Sequence, residues 1–223
     1  MKVVAVIVVR KGSKRILNKS KKKINNITLI ERKISQLKKV KKIKKIYLGT
    51  NDLSLKKLTK KYNINFVQRE DKYCNEKKTD AKKMVKNMLQ YVNGDIILWA
   101  HPTNPFVDEK FYTGAISLFL KSMKKYDSVF SVTEIRNHFW SHIGKPINHN
   151  PSAKKHVVAS KLEPVLGQNG AIFIRHKKDM IKDGSFIGKK PKIFKMNEII
   201  GWDLDHPWQL DLARALVKYK YVK

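Results

Sequence analysis

Apolar residues are spaced along this chain in two alternating rhythms. Residues 3–9 form an unbroken apolar run of seven, the pattern of a strand buried on both faces. Leu29, Ile30, Ile34, Leu37 and Val40 then recur at helical spacing. Residues 46–50 read as strand, and Leu55, Leu58 and Tyr62 as one face of a helix. A short strand at 64–67 precedes a helix carrying Met84, Val85, Met88, Leu89 and Val92. Residues 95–100 read as strand and end at the stiff His101-Pro102-Thr103-Asn104-Pro105. A helix with Phe111, Ala115, Leu118 and Phe119 follows, then strand at 127–132. This order predicts an α/β sandwich with a mostly parallel sheet.

From Glu134 to Gln168 the rhythm stops. The stretch is polar, has no clear period and holds three prolines and four histidines, so it reads as an excursion from the sheet. Strand patterns return at 170–174, 192–196 and 199–204, and a last helix is expected over about 207–219. No repeat or linker divides the chain, so residues 1–223 read as one domain. Phe139, Trp140, Ile143, Val157 and Val158 in the excursion lack local partners, which points to an interface with a second subunit.

Composition narrows the class. No segment has 18 consecutive apolar residues, so a membrane span is not expected. The apolar start lacks a small-residue cleavage site and runs into basic residues, so it reads as the first strand of a cytoplasmic protein. Cys74 is the single cysteine, which excludes an internal disulfide. The formal net charge of +31 invites a polyanionic partner, but the cations are mostly lysine and are spread along the chain. That pattern reads as a solvated surface and argues against nucleic acid as the main partner.

The stretch VVRKGSKRILNKSKKK, residues 8–23, leaves the first strand and carries eight lysines and arginines. It reads as a solvated charge run, a nucleic-acid grip or a cradle for the phosphates of a small nucleotide. The last has a physical basis: Gly12 permits close backbone approach, Ser13 adds a donor, and Arg10, Lys14 and Lys19 can neutralise phosphate. The spacing is not that of a Walker A loop. Asp203 and Asp205 stand two apart, so on a strand both carboxylates share one face. Such a pair suits Mg²⁺ shared with substrate phosphates, and it also suits an exposed acidic strand end.

Five ordered stretches carry a resemblance. RKGSKRILNKS (10–20) resembles R-x-G-S-K-x-I-P-x-K-N of the acylneuraminate cytidylyltransferases, and HPTNPF (101–106) resembles their Q-P-T-S-P-L/F. SVFSVTE (128–134), QNGAIFI (168–174) and WDLDHPWQLDLA (202–213) follow in the family's order. The resemblance implies a Rossmann-like nucleotidyltransferase three-layer sandwich whose 134–168 excursion serves dimerisation. It implies an enzyme that joins CTP to an acidic nine-carbon sugar of the sialic, legionaminic or pseudaminic type. A Kdo-type nucleotidyltransferase and a non-catalytic polyanion-binding relative are the alternatives.

Position by position, the resemblance implies that Arg10, Gly12, Ser13, Lys14, Lys19, Ser20, Arg69 and His101 bind the nucleotide. Of these, Arg10, Lys14 and Lys19 would act in catalysis together with Asp203. Asp203 and Asp205 would hold Mg²⁺, and Gln168 and Asn169 would meet the sugar. Departures stand at Leu17 for proline, Ser20 for asparagine, His101 for glutamine, and across residues 74–80. His138, His142, His149 and His156 lack the H-E-x-x-H pattern and any nearby cysteine, so they read as polar surface rather than as a zinc site. Trp140, Trp202 and Trp208 read mostly as packing residues.

Overall fold

Side chains of a strand alternate between two faces, and β1 (Val3–Val8) uses that alternation to join two cores. Val3, Ala5 and Ile7 enter one cluster, with Ile34 and Leu37 of α1 (Leu29–Lys38), Leu58 of α2 (Lys56–Tyr62), and Tyr112 and Phe119 of α4 (Glu109–Ser122). Val4 and Val6 enter the other, with Val85, Met88 and Leu89 of α3 (Ala81–Leu89) and Met180 of α5 (Lys177–Asp183). The sheet is therefore covered on both faces, as its near-continuous apolar strands require. The computed structural model describes residues 1–75 and 79–222. Residues 76–78, within the 74–80 departure, and Lys223 lie outside the described residues.

The other strands of the main sheet are β4 (Lys45–Thr50), β5 (Asn65–Gln68), β6 (Ile96–Ala100), β7 (Ser128–Ile135), β8 (Val165–His176) and β9 (Pro191–Met196). Their spatial order is β5-β4-β1-β6-β8-β7-β9. β5, β4, β1 and β6 are parallel neighbours, β8 runs antiparallel to β6 and β7, and β9 is parallel to β7. From β1 the chain moves to one side through β4 and β5, then crosses to β6 on the other side of β1. That reversal leaves a crevice at the carboxyl ends of β1 and β6, where open α/β sheets bind ligands.

A third cluster lies beside this crevice. A two-stranded hairpin, β2 (Lys23–Ile24) and β3 (Ile27–Thr28), turns on Asn25 and Asn26, both at positive φ. Ile24 packs with Phe106, Leu204 and the inner residues Leu210, Ala213 and Val217 of α6 (Pro207–Lys218). Thr28 and Glu31 form a capping box that starts α1 directly after the hairpin.

Three expectations need correction. Residues 199–204 do not form a strand: Asn197 caps a turn through Ile200 N–H, and Leu204 is buried against α6 rather than in the sheet. Glu134 and Gln168 belong to β7 and β8, so the excursion spans residues 136–164. α5 and the β2–β3 hairpin were not expected. Trp140 and Trp208 are 50% and 61% exposed, so neither is a core residue, although each keeps one ring contact, Trp140 with His149 and Trp208 with Trp202. Among the described residues no helix is long and apolar enough to cross a membrane.

Candidate functional site

The loop after β1 is shaped by its own polar groups. Gly12 sits at φ +71, and a Cβ there would meet nothing within 4 Å, so the backbone angle rather than space calls for glycine. Ser13 Oγ accepts the Lys19 N–H at 2.8 Å and folds the loop back on itself. Lys11 N–H donates to Asn51 Oδ1 at 2.8 Å, which ties the loop to the end of β4. Lys21 reaches Asp52 at 2.6 Å and Ser54 at 2.8 Å. Burial would raise the Asp52 pKa, but Lys21 and Ser54 outweigh it and hold the carboxyl below its usual range.

Two adjoining cavities open here. One, of about 620 Å³, is lined by Arg10, Ser13, Lys14, Arg15, Lys19, Ser20 and the His101-Pro102-Thr103 turn after β6. The other, of about 390 Å³, is lined by Arg69, Tyr73, Cys74, Asn75, Thr79 and Met84. The two share Val8, Val9, Arg10 and His101. The expected nucleotide residues are thus brought to one place, with Gly12 in a further hollow beside Arg10, Lys14 and Asn51. Gln168, Asn169, Asp203 and Asp205 are not among the residues lining these two adjoining cavities.

His101 is committed inward. Its Nδ1 donates to the Gly170 carbonyl at 2.7 Å, and its Nε2 accepts from Trp99 Nε1 at 3.2 Å, an arrangement that assigns the neutral Nδ1–H tautomer. Burial holds the ring below its ordinary pKa, against the opposing pull of the Gly170 bond. Its contribution to the cavities is therefore shape. Arg69 is buried, with Nη2 donating to the Tyr73 carbonyl at 2.7 Å and Nε to Asn87 at 3.4 Å. Gly49 makes room for it: a Cβ there would lie 3.1 Å from Arg69 Cδ and 2.3 Å from Met88 Sδ.

Asn169 lies where β8 bulges, in the gap between the pairings Phe130–Phe173 and Val132–Gln168. Its Oδ1 accepts from Ser131 Oγ at 2.6 Å and from Ala171 N–H at 3.2 Å, and its Nδ2 donates to Thr133 Oγ1 at 3.1 Å. The side chain organises the bulge, while Gln168 beside it is exposed.

The two aspartates differ sharply. Asp205 accepts Lys19 Nζ at 2.9 Å on one oxygen and Arg15 at 2.9 Å on the other. Burial would raise its pKa, but Lys19 and Arg15 hold it below the usual carboxylate range. Its backbone N–H is held by Gln209 Oε1 of α6 at 2.6 Å. Lys19 also donates to the Leu204 carbonyl at 2.6 Å, so the cationic loop is fastened to residues 204–205. Asp203 Oδ1, by contrast, is buried without a hydrogen-bond partner. In the excursion the ring of His138 contacts those of His149 and His156, and Trp140 packs edge-on to His149. Among the described residues, no group of three or more His, Cys, Asp or Glu is placed to hold a metal ion.

Sequence reasoning missed Arg15 and Lys33. Lys33 is fully buried on α1, and its Nζ donates to the Asn104 carbonyl at 2.9 Å, the Tyr112 hydroxyl at 2.6 Å and the Val107 carbonyl at 3.4 Å. The signal was present: Lys33 interrupts the apolar stripe of Ile30, Ile34 and Leu37.

A cationic loop and a buried carboxylate oxygen gathered at the switch point of a mostly parallel sheet define a nucleotidyltransferase-type α/β sandwich. Residues 4–222 match the sequence model of the family described as Cytidylyltransferase, and the chain belongs to that family. It is 24% identical over 226 residues to an N-acylneuraminate cytidylyltransferase from Escherichia coli O18:K1:H7 (strain RS218 / NMEC), covering 98% of this chain and 53% of that protein. It is 24% identical over 221 residues to N-acylneuraminate cytidylyltransferase A of Danio rerio, covering 95% of this chain and 50% of the relative. The chain thus spans about half the length of these curated relatives. Among solved structures it resembles a CMP:2-keto-3-deoxy-manno-octonic acid synthetase complexed with CTP. That match has a TM-score of 0.73 at 14% identity and covers 99% of this chain and 100% of the other. It also resembles the 4-diphosphocytidyl-2C-methyl-D-erythritol synthase of Anaerococcus prevotii DSM 20548, with a TM-score of 0.69 at 13% identity over 97% and 98% of the two chains.

The buried amine generates a testable pH effect. Burial, with a smaller push from Arg32 and an opposing pull from Asp108, holds Lys33 well below the usual lysine range. Between its folded pKa and the unfolded value of about 10.4, the unfolded chain binds the extra proton, so stability rises with pH across that window. Urea midpoints measured from pH 7 to pH 10 should climb more steeply for the wild type than for Lys33→Met. Equal slopes would mean that the amine keeps its ordinary affinity for protons.

Proposed function

We propose that the protein is a CMP-sugar synthetase that transfers CMP from CTP to an acidic nine-carbon sugar and releases pyrophosphate. One observation carries the reading: the loop of Arg10, Ser13, Lys14 and Lys19 lies at the carboxyl ends of β1 and β6, tethered to the segment that holds Asp203. The names of the two curated relatives support the acylneuraminate type of sugar. The likeness to the octonic acid synthetase is one of fold.

In this reading the sugar's anomeric hydroxyl attacks the α-phosphorus in line. The bond from that phosphorus to the bridging oxygen breaks, pyrophosphate departs, and the hydroxyl proton is released. Arg10 offers a planar fork and Lys14 a mobile charge to the phosphate oxygens. Ser13 and the backbone around Gly12 set the loop's curvature. Arg69 and the inward-locked His101 shape the smaller cavity that would receive base or sugar. Mg²⁺ fits this donor set through Asp203, whose buried Oδ1 lacks a donor, with Asp205 beside it in sequence; bound there, it would offset the triphosphate's charge.

The deciding experiment measures pyrophosphate released from CTP with a panel of sialic, legionaminic, pseudaminic and Kdo-type acids, with and without Mg²⁺. We expect turnover with at least one nine-carbon acid, and Asp203→Ala should lower it by about three orders of magnitude or more with the fold intact. Turnover with Kdo alone would move the protein to that class. No turnover with any acid, or near-normal activity of Asp203→Ala at saturating Mg²⁺, would remove the reading or the metal assignment respectively.

The loop's charges should act unequally. A charged hydrogen bond to a held phosphate is worth about 1.5–3 kcal/mol, whereas an exposed lysine contributes about 1 kcal/mol or less. Calorimetric titration with CTP should therefore show a much larger loss for Lys14→Ala than for Lys23→Ala, whose side chain is exposed. Equal losses would mean that the loop works through bulk charge.

We also propose a homodimer joined through residues 136–164. Trp140, Ile143, Val157 and Val158 are 50%, 63%, 42% and 48% exposed on that excursion, a concentration of uncovered apolar side chains in one segment of a highly charged chain. Sedimentation at physiological salt should give a dimer, and Trp140→Lys with Ile143→Lys should shift it to monomer. A wild-type monomer with full activity at high dilution would sink this part.

A further inference from the structure

Asp203 has no strand to hold it, yet the peptides on both sides of it are pinned. The N–H of Leu204, on the following peptide, donates to the Thr103 carbonyl at 2.9 Å. The carbonyl of Trp202, on the preceding peptide, accepts from Asn104 Nδ2 at 3.1 Å. The same amide nitrogen lies 2.9 Å from the Asn169 carbonyl and 3.2 Å from the Gly201 carbonyl. Asn104 is 0% exposed. Its two N–H groups are thus shared among three carbonyls, one from the β8 bulge and two from the turn before Asp203. The orientation of the amide is fixed by chemistry: flipped, its oxygen would face three carbonyl oxygens. In the observed orientation Oδ1 is buried without a donor, so the side chain gives up satisfaction on one side to keep all three contacts on the other.

The donor is itself anchored. The Asn104 carbonyl receives the buried Lys33 amine, and Pro102 and Pro105 stiffen the backbone on either side. The turn it grips is packed too closely to shift toward β8. A Cβ on Gly201 would lie 2.4 Å from Asn169 Nδ2 and 2.6 Å from Thr133 Oγ1.

We propose that Asn104 is a positioning residue that fixes the carboxylate of Asp203. It brackets that residue together with Thr103, and so couples the turn after β6 and the β8 bulge to the acidic segment. The proposal rests on the reading of Asp203 as a metal-binding carboxylate. Loss of the amide frees the peptide before Asp203 while the sheet and the cationic loop stay in place. Serine, which the resembling motif has at this position, keeps one donor and reaches fewer carbonyls. The effect should therefore be graded from asparagine through serine to alanine.

The test combines hydrogen exchange with Mn²⁺ binding by the full chain, comparing wild type, Asn104→Ser and Asn104→Ala. Asn104→Ser is the decisive variant, because Asn104→Ala removes the donor shared by three carbonyls and is open to unfolding. Amides of residues 201–205 should exchange about tenfold faster in Asn104→Ser, while those of β1 and β6 keep wild-type rates. In the presence of CTP, Mn²⁺ half-saturation followed by electron paramagnetic resonance should rise about tenfold. Unchanged exchange at 201–205, or a uniform rise across the sheet, overturns the proposal. So does wild-type Mn²⁺ affinity in Asn104→Ser when Asp203→Asn has lost it. If Asp203→Asn binds Mn²⁺ as the wild type does, the metal assignment falls first and the proposal falls with it.

Discussion

The parallel pairing of β1 with β6 is the constraint on which the site depends. Val3 to Ile7 lie in register with Ile96 to Ala100, and both strands are buried in the centre of the sheet. Every backbone group in these strands must find a partner within the sheet, so the register is unforgiving. Where the strands end, the chains part because β1 leads to β4 on one side while β6 belongs to the other. The cationic loop and the His101–Pro105 turn fill that parting, and their positions follow from the pairing beneath them.

Above this rigid floor the site is held by polar contacts that close over long sequence distances. Lys19 with Leu204 and Asp205, Asn104 with Trp202, and Lys33 with Asn104 join regions that are far apart in the chain. Such contacts are worth little each at the surface and much more when buried, because an abandoned buried partner carries its full desolvation cost. The third apolar cluster, with Ile24, Phe106, Leu204 and the inner face of α6, brings the same regions together without direction. Packing brings the segments near, and the hydrogen bonds select how Asp203 and Asp205 are presented.

How much of this the sequence declared follows from the same division. β1, β4, β6 and the helices α1, α3, α4 and α6 were legible because each has an apolar period long enough to distinguish. α5 was not, since LysLysAsp-Met180-Ile181-LysAsp offers only two apolar residues to a period. The hairpin is four paired residues around Asn25-Asn26, shorter than any periodic signal. Residues 199–204 misled because Ile200, Trp202 and Leu204 alternate like a strand; Trp202 and Leu204 pack instead into the α6 cluster, and Ile200 spans that cluster and the main core. At the site, residue types and motif order marked the loop and both aspartates. The pairing of Lys19 and Arg15 with Asp205, and of Lys21 with Asp52, is tertiary and has no local signature.

Those pairings bear on how two aspartates can divide one task. A carboxylate has two oxygens, and in Asp205 one meets Lys19 and the other Arg15. In a chain with 49 lysines and arginines against 18 acids, a carboxylate beside this loop gathers cations readily. Two cations at one carboxylate oppose a third cation brought to it, so Asp205 suits a metal less well than its motif position suggests. Asp203 has the complementary character: its Oδ1 is buried without a hydrogen-bond partner and, among the described residues, no cation is paired with it, so it keeps the capacity that Asp205 has spent. Under the proposed function the acidic pair would divide into a tether and a ligand. Asp205 holds the cationic loop against α6, and Asp203 would be the oxygen donor in the proposed metal site.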